Sequence, residues 1–286
     1  MKNLLVFGSC NIDIIAKTNN KIITYDKNPG ITYYGMGGVG RNIYESLCRL
    51  GLKADFATNY GNDLFSQPFI DHLESLGGHC YLNKVDLPTS SFTTILDENN
   101  DYYLSISSME IANHFTKDFL SSIDYSKYDV VSIDANSPNI IEYVTSLNKI
   151  VFADATSAAK VIAYKDYINK IDYLKCSKEE FHALFDSDDY LEVSKRYPQL
   201  NIILTDKEKD ILYYIDGKMT SYSVDYVKPV STIGAGDSFS AGLLYGIVND
   251  YDMSKCIELG KKVATLTLQS DVAVSDKITK QLIEEL

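Results

Sequence analysis

Short, unbroken apolar runs alternate along the chain with stretches whose apolar residues recur at helical spacing. Residues 4–7 are continuously apolar and end at Gly8, the pattern of a strand buried on both faces. Val39, Ile43, Leu47 and Leu50 then recur every three or four positions, and Gly51 follows as a helix stop. Residues 54–58 predict a strand, and residues 64–76 a helix closed by Gly77 and Gly78. Apolar runs at 130–133, 150–153 and 202–204 predict further strands, with helical patterns between them. Strands separated by helices point to an α/β fold with a parallel, doubly wound sheet.

Two stretches break this rhythm. Residues 17–34 are polar, β-branched and tyrosine-rich without helical periodicity. Residues 90–107 read as a hairpin, with Phe92 to Leu96 going out, a turn at Asn99, Asn100 and Asp101, and Tyr102 to Ile106 returning. They predict either two pieces of one small sheet outside the main sheet or a pair of its edge strands. No linker, low-complexity segment or repeat divides the chain, so one domain is expected over residues 1–286.

Composition narrows the function classes. Hydrophobic residues make up 45% of the chain, enough for a substantial core. A formal charge of −12 argues against a nucleic-acid partner held through its phosphates. The five cysteines are scattered without CxxC or CxxH pairing, which argues against a disulfide framework or zinc and for a reducing cytoplasm. The first apolar run is too short for a signal peptide, and none is long enough for a membrane span. A cytoplasmic protein with no membrane partner is the expectation.

The chemistry concentrates between Ser231 and Gly242, in the run Ser-Thr-Ile-Gly-Ala-Gly-Asp-Ser-Phe-Ser-Ala-Gly. Gly234, Ala235 and Gly236 allow successive N–H groups to converge, and a helix beginning there adds the positive end of its dipole. Such a turn suits a developing negative charge, and Asp237 beside it is a candidate proton acceptor. The plain alternative is an ordinary glycine turn with an acidic helix start. The run closely resembles the C-terminal signature of the ribokinase-like (PfkB) carbohydrate kinases. That resemblance implies that Asp237 takes the proton from the substrate hydroxyl and that the amides of Gly234, Ala235 and Gly236 form an anion hole. It is not a Walker A loop, because no Gly-Lys-Ser/Thr follows the glycines.

Other motifs follow in the order this family requires. Asn11 and Asp13 come directly after the first strand, where an amide and an acid can hydrogen-bond sugar hydroxyls or merely shape a turn. Gly37, Gly38, Arg41 and Asn42 lie in Gly-Met-Gly-Gly-Val-Gly-Arg-Asn, similar to the family's N-terminal glycine signature, which implies contact of the glycines and Asn42 with the substrate sugar. Arg41 reads either as a ligand contact or as a solvated residue at a helix start. Asp63 reads mainly as the N-cap of the next helix. Lys160, after the 150–153 strand, is a candidate phosphate contact or a solvated lysine. Ser177 and Glu180 stand where the family has Asn-x-x-Glu, which implies a role for Glu180 toward magnesium and for Ser177 toward the nucleotide. Thr205 begins the place of the family's Thr-x-Gly-x-x-Gly, which implies a phosphate contact for it, but both glycines are absent from 205–210. The aspartate usual at the start of the C-terminal signature is Ser231 here.

The resemblance implies a three-layer α/β/α fold with a small β-lid built from about 15–35 and 89–108, and a homodimer formed through that lid. It implies ATP and Mg2+, with a place for a monovalent cation. Within the family, the stretch Gly-Gly-Val-Gly-Arg-Asn-Ile looks most like pseudouridine kinases, and residues 88–93, 108–111 and 156–160 point the same way. The expected activity is 5′-phosphorylation of a nucleoside or sugar, pseudouridine first. Another sugar or nucleoside kinase, and a nucleoside-binding protein with a degenerate nucleotide loop, are the alternatives.

Overall fold

The computed structural model describes residues 1–284; the last two residues of the expected domain lie outside them. Thirteen strands are found among the described residues: β1 Leu4–Phe7, β2 Asn11–Thr18, β3 Gly30–Gly37, β4 Asp55–Tyr60, β5 Cys80–Lys84, β6 Ser91–Leu96, β7 Tyr102–Ser108, β8 Val130–Asp134, β9 Ile150–Asp154, β10 Tyr173–Ser177, β11 Asn201–Thr205, β12 Ile211–Ile215 and β13 Lys218–Tyr222. The α-helices are α1 Val39–Arg49, α2 Ser66–Ser75, α3 Lys117–Ser122, α4 Ile141–Thr145, α5 Ala158–Val161, α6 Lys178–Phe185, α7 Tyr190–Arg196, α8 Ala235–Val248, α9 Met253–Leu268 and α10 Gln281–Glu284.

Nine strands form the main sheet in the order β13-β12-β11-β10-β9-β8-β1-β4-β5. The run from β11 to β5 is parallel, and β12 and β13 close one edge as an antiparallel hairpin. Strand alternation divides the core. Leu4 and Val6 pack with Ile43 and Leu47 of α1, Leu244 of α8 and Ile257 of α9. Leu5 and Phe7 pack on the opposite side with Ile141 of α4, Phe181 of α6 and Val193 of α7. Both faces of β1 are therefore covered, which is why its sequence is apolar without alternation. The three layers and the doubly wound sheet are those expected. No helix of the described residues is long and apolar enough to cross a membrane.

The two stretches that broke the rhythm fall in a separate four-stranded sheet of order β3-β2-β6-β7. They are not edge strands of the main sheet. β2 begins at Asn11, earlier than the polar stretch suggested, so Asn11 and Asp13 are strand residues rather than turn residues. One β2 neighbour is β3, antiparallel, and the other is β6, parallel, with Asp13 opposite Phe92. Ile31, Tyr33, Tyr34, Tyr102, Tyr103 and Ile106 on this sheet are exposed.

Asp63 differs from its expected role. Phe65 occupies the N-cap position of α2 without a side-chain bond. The Asp63 carboxylate instead accepts from the Phe65 amide at 3.0 Å and from the Thr89 amide at 2.6 Å, tying the start of α2 to the approach to β6. These donors hold its carboxyl below the usual range despite the opposing effect of burial.

Candidate functional site

A row of charged side chains crosses three neighbouring strands where they end. Asp134 of β8 pairs in register with Asp154 of β9, which pairs with Lys175 of β10. The row lies beneath the first turns of α1 and α8. Asp134 Oδ2 accepts from the amides of Ser9 and Gly40, each at 3.1 Å, and so places an acid at the positive end of α1. Asp154 Oδ2 accepts from Ser240 Oγ of α8 at 2.6 Å and from Lys175 Nζ at 3.2 Å. The helix can start this close because Gly8 and Gly40 lack side chains: a Cβ on Gly8 would lie 2.6 Å from the Gly40 Cα.

The second helix start carries the expected turn, but the Ala235 amide, expected to face an anion, donates to the Thr232 carbonyl at 3.4 Å as the turn tightens into the helix. Gly234 is the N-cap of α8 with φ +76°, and a Cβ there would run into the Ala273 carbonyl. The Gly236 and Asp237 amides precede the helical ladder and have no acceptor among the described residues, which leaves them for a ligand. Asp237 Oδ2 accepts from Asn42 Nδ2 at 2.6 Å. Burial and the neighbouring Asp154 push the Asp237 carboxyl up to about 7, while Asn42 and Lys175 oppose the rise. A carboxylate with that pKa can accept a proton near neutral pH and release it again.

Asn42 is held in turn by Arg41, whose guanidinium donates to Asn42 Oδ1, to the Met36 carbonyl and to Glu45. Arg41 and Glu45 are only 4% and 3% exposed, so Arg41 is not the solvated helix-start residue considered above. Its guanidinium is committed inside the protein, with Nε buried and unpartnered, and its visible work is to orient Asn42. Glu45 also takes Arg49 Nε and pairs with His72 Nε2, each at 2.9 Å. Burial opposes ionisation, yet the His72 hydrogen bond and the charge of Arg41 bring Glu45 down to about 2.

Asn11, Asp13, Gly37 and Gly38 gather beside this cluster. Asn11 Nδ2 donates to Asp13 Oδ1 at 2.5 Å. Burial pushes the Asp13 carboxyl up to about 6, against the pull of the Arg41 charge and the Asn11 bond. A Cβ on Gly37 would run into the Asp13 carboxyl, and Gly38, at φ +102°, would run into the Ser9 carbonyl. Both glycines are needed for the chain to close over Asp13 and Ser9.

The expected nucleotide side is laid out differently. Ser177 caps α6, its Oγ accepting from the Glu180 amide at 3.2 Å while Glu180 Oε2 accepts from the Ser177 amide at 2.7 Å. Glu180 Oε1 remains available. Thr205 lies opposite Ser177 in the β10–β11 register, its hydroxyl 3.4 Å from the Cys176 carbonyl. In the following loop Asp206 pairs with Lys178 and Lys209, each at 2.9 Å, and these contacts hold its carboxyl at about 2. Lys207 has φ +54°, a glycine-like backbone carrying a lysine. Lys160 donates to Asn136, which reaches Ser9 Oγ at 3.3 Å, so its contacts tie it to the Ser9 side rather than to Ser177 and Thr205.

Among the described residues no cluster of three or more His, Cys, Asp or Glu could hold a metal. The donor set fits Mg2+ carried mainly on phosphate oxygens with one carboxylate, a usual arrangement for that ion. Sequence reasoning passed over Lys175 and Asp134. Their signal was a charge in or at the end of an otherwise buried strand, as in Tyr-Leu-Lys-Cys-Ser.

The family model described as pfkB family carbohydrate kinase matches residues 1–280. The pseudouridine kinase of Escherichia coli (strain K12) is 27% identical, over 94% of this chain and 91% of that protein. The crystal structure of ribokinase from Thermotoga maritima superposes with a TM-score of 0.86 at 22% identity, covering 100% of this chain and 99% of the other. Ribokinase from Cryptococcus neoformans var. grubii serotype A, solved in complex with ADP, gives 0.79 at 17% identity and covers all of both chains.

Proposed function

This chain belongs to the pfkB family of carbohydrate kinases, and from that membership we propose that it phosphorylates the 5′ hydroxyl of a nucleoside, pseudouridine before others. Its class of chemistry is phosphoryl transfer to an alcohol, and ATP is the donor in this reading. The observation that carries the reading is the contact between Asn42 and Asp237 beside the open Gly236 and Asp237 amides.

The substrate hydroxyl sits against Asp237, which takes its proton as the oxygen forms a bond to the γ-phosphorus. The bond from that phosphorus to the ADP oxygen breaks, and ADP leaves with the electron pair. Asn42 holds the carboxylate in place, and the Gly236 and Asp237 amides receive the negative charge on the transferring oxygens. Mg2+, when bound, neutralises phosphate charge, with Glu180 Oε1 as the side-chain oxygen that would hold it directly or through water. Asp13 and Asn11 bind the ribose hydroxyls, and the small sheet covers the site and limits hydrolysis.

The base contacts come from residues 91–93, which the β2–β6 register sets beside Asp13. Pseudouridine differs from uridine by a carbon glycosidic bond, which leaves one more ring N–H as a donor. A pocket with an acceptor for that N–H rejects uridine, because the acceptor would be buried unpaired. The name of the Escherichia coli relative supports this choice. The test is kcat/KM for pseudouridine, uridine, ribose and fructose under identical Mg-ATP conditions. Pseudouridine ahead of the rest is expected; equal or better turnover of uridine or a free sugar removes the pseudouridine assignment.

The self-paired loop at 206–209 favours one other reading, a nucleoside-binding protein with little phosphoryl transfer. Isothermal titration separates the two, since such a binder takes the nucleoside but not Mg-ATP. We place the protein in the cytoplasm and read the exposed tyrosines and isoleucines of the small sheet as a homodimer surface. Sedimentation of wild type and Tyr34→Asp checks this, with a dimer expected only for the former.

A further inference from the structure

We propose that Glu45 is a positioning residue for the reaction: through Arg41 it fixes which end of the Asn42 amide faces Asp237. The inference rests on the kinase reading above and gives a role to a buried acid that the phosphoryl-transfer steps leave unused.

The two ends of a side-chain amide have nearly the same shape but opposite hydrogen-bonding character. With Nδ2 toward Asp237, Asn42 favours the ionised carboxylate. Turned over, the amide would set Oδ1 against that carboxylate and favour the protonated acid. The choice is made on the other side of the amide, where Arg41 Nη2 donates to Asn42 Oδ1. A guanidinium has donors and no acceptor, so a turned amide would lose this bond as well. The same Nη2 donates to the Met36 carbonyl near the end of β3, and Nη1 donates to Glu45 Oε2. With Nε buried and unpartnered, Glu45 is the one charged anchor of this guanidinium among the described residues.

Glu45 is itself held from several sides. It lies one helical turn from Arg41 on α1, in a stretch where Ile43, Tyr44 and Leu47 are buried. Beyond Arg41, its carboxylate accepts from Arg49 Nε and pairs with His72 Nε2 of α2, each at 2.9 Å. Those two partners reach it from the solvent side, at 33% and 27% exposure. A buried ionic network is a weak source of stability, since apolar packing of similar volume often does as well. What it supplies is direction, and the planar Arg41 fork has one to keep, toward Asn42. The contacts run from His72 through Glu45, Arg41 and Asn42 to Asp237, that is, from α2 through α1 to α8. The other charges acting on Asp237 are Asp154 of β9, Lys175 of β10 and Asp134 of β8. None of them is a partner of Glu45, so the relay reaches Asp237 through Asn42.

The test titrates the Asp237 carboxyl by NMR on protein carrying isotope-labelled aspartate, its signal assigned from the Asp237→Asn spectrum. Removing the Glu45 charge would by itself lower the Asp237 pKa, because one negative charge nearby is lost. Loss of the Asn42 orientation raises it, so the two effects have opposite signs. Glu45→Met should raise the pKa by roughly 0.5–1 unit, and Glu45→Gln, which keeps one acceptor oxygen, by less. In an Asn42→Ala background Glu45→Met should give no further rise, since the relay acts through Asn42. An unchanged or lowered pKa in Glu45→Met, or a rise that persists in full without Asn42, overturns the proposal. If Glu45→Met does not fold, Glu45→Gln decides by the same two readings: a rise that needs Asn42 is expected, and any other result contradicts it. With nucleoside and Mg-ATP, the acid limb of kcat/KM should move with the carboxyl. The NMR titration needs neither ligand. A limb that stays while the carboxyl moves, or a wild type without turnover, therefore counts against the proposed function and leaves this inference to its own outcome.

Discussion

Asn42, four residues into the glycine-rich start of α1, donates its side-chain amide to the carboxylate of Asp237 in the first turn of α8, over 2.6 Å and 195 positions of sequence. The two helices carry the two glycine signatures, and this bond is where they meet. It favours the ionised carboxylate that burial and Asp154 disfavour, and so sets the pH at which Asp237 can act as a base.

Removing that donor should therefore shift the acid limb of the pH profile. In the proposed mechanism Asp237 works deprotonated, and burial and Asp154 already push its carboxyl up to about 7. In Asn42→Ala the ionised form loses a stabilising bond, the pKa rises further, and activity is lost at higher pH as the solution is acidified. A rise of about one unit in the acid limb of kcat/KM is expected, corresponding to a hydrogen bond of about 1.4 kcal/mol. A profile that stays in place or moves to lower pH would show that Asn42 does not tune Asp237.

Gly37 and Gly35 make a matched pair on β3. A methyl at 37 would meet the Asp13 carboxyl, whereas nothing lies within 4 Å of a methyl at 35. Gly37→Ala should raise the nucleoside KM by about tenfold or more, the scale of one disturbed charged hydrogen bond. Gly35→Ala should leave KM within about twofold. Steady-state kinetics on the two variants, with Tm as a control for folding, checks the contrast.

Lys207 holds a left-handed backbone at φ +54° that costs an ordinary residue roughly 1–2 kcal/mol. ATP is expected to bind loosely, with KM on the order of 1 mM. Lys207→Gly should stabilise the protein by about 1 kcal/mol in urea unfolding and lower that KM. Asp210 has no positive φ and accepts from Ser221 Oγ at 2.9 Å, so Asp210→Gly should give neither gain. Tighter ATP binding in the natural protein than in Lys207→Gly would mean that the lysine itself holds the nucleotide.

What the sequence made legible was local. The turns at Gly234 and Gly38 depend on backbone freedom that only glycine supplies, and Gly37 leaves no room for a side chain beside Asp13, so residue type and spacing sufficed to mark them. Strand β1 was equally plain, because burial on both faces leaves no polar position. The row Asp134, Asp154 and Lys175 was harder to read, since its members lie on three strands and meet only through the β8–β9–β10 register. Arg41 was ambiguous for the same reason: its partner Glu45 is one helical turn away, but the burial of the pair comes from tertiary packing. Strand β2 was misplaced at its start because Asn11 and Asp13 are polar residues directly after Gly8, a composition shared by strand starts and turns. The hairpin of β12 and β13 carried tyrosines on both faces and gave no clear alternation.

The central claim, that Asp237 is the base for phosphoryl transfer, is tested most directly by Asp237→Asn. The amide keeps the shape of the side chain but cannot take the hydroxyl proton. With Mg-ATP and pseudouridine, kcat should fall by about 10²–10⁴-fold while the Kd for the nucleoside, measured by titration, changes by less than about threefold. Near-normal turnover in a folded Asp237→Asn protein would contradict the account.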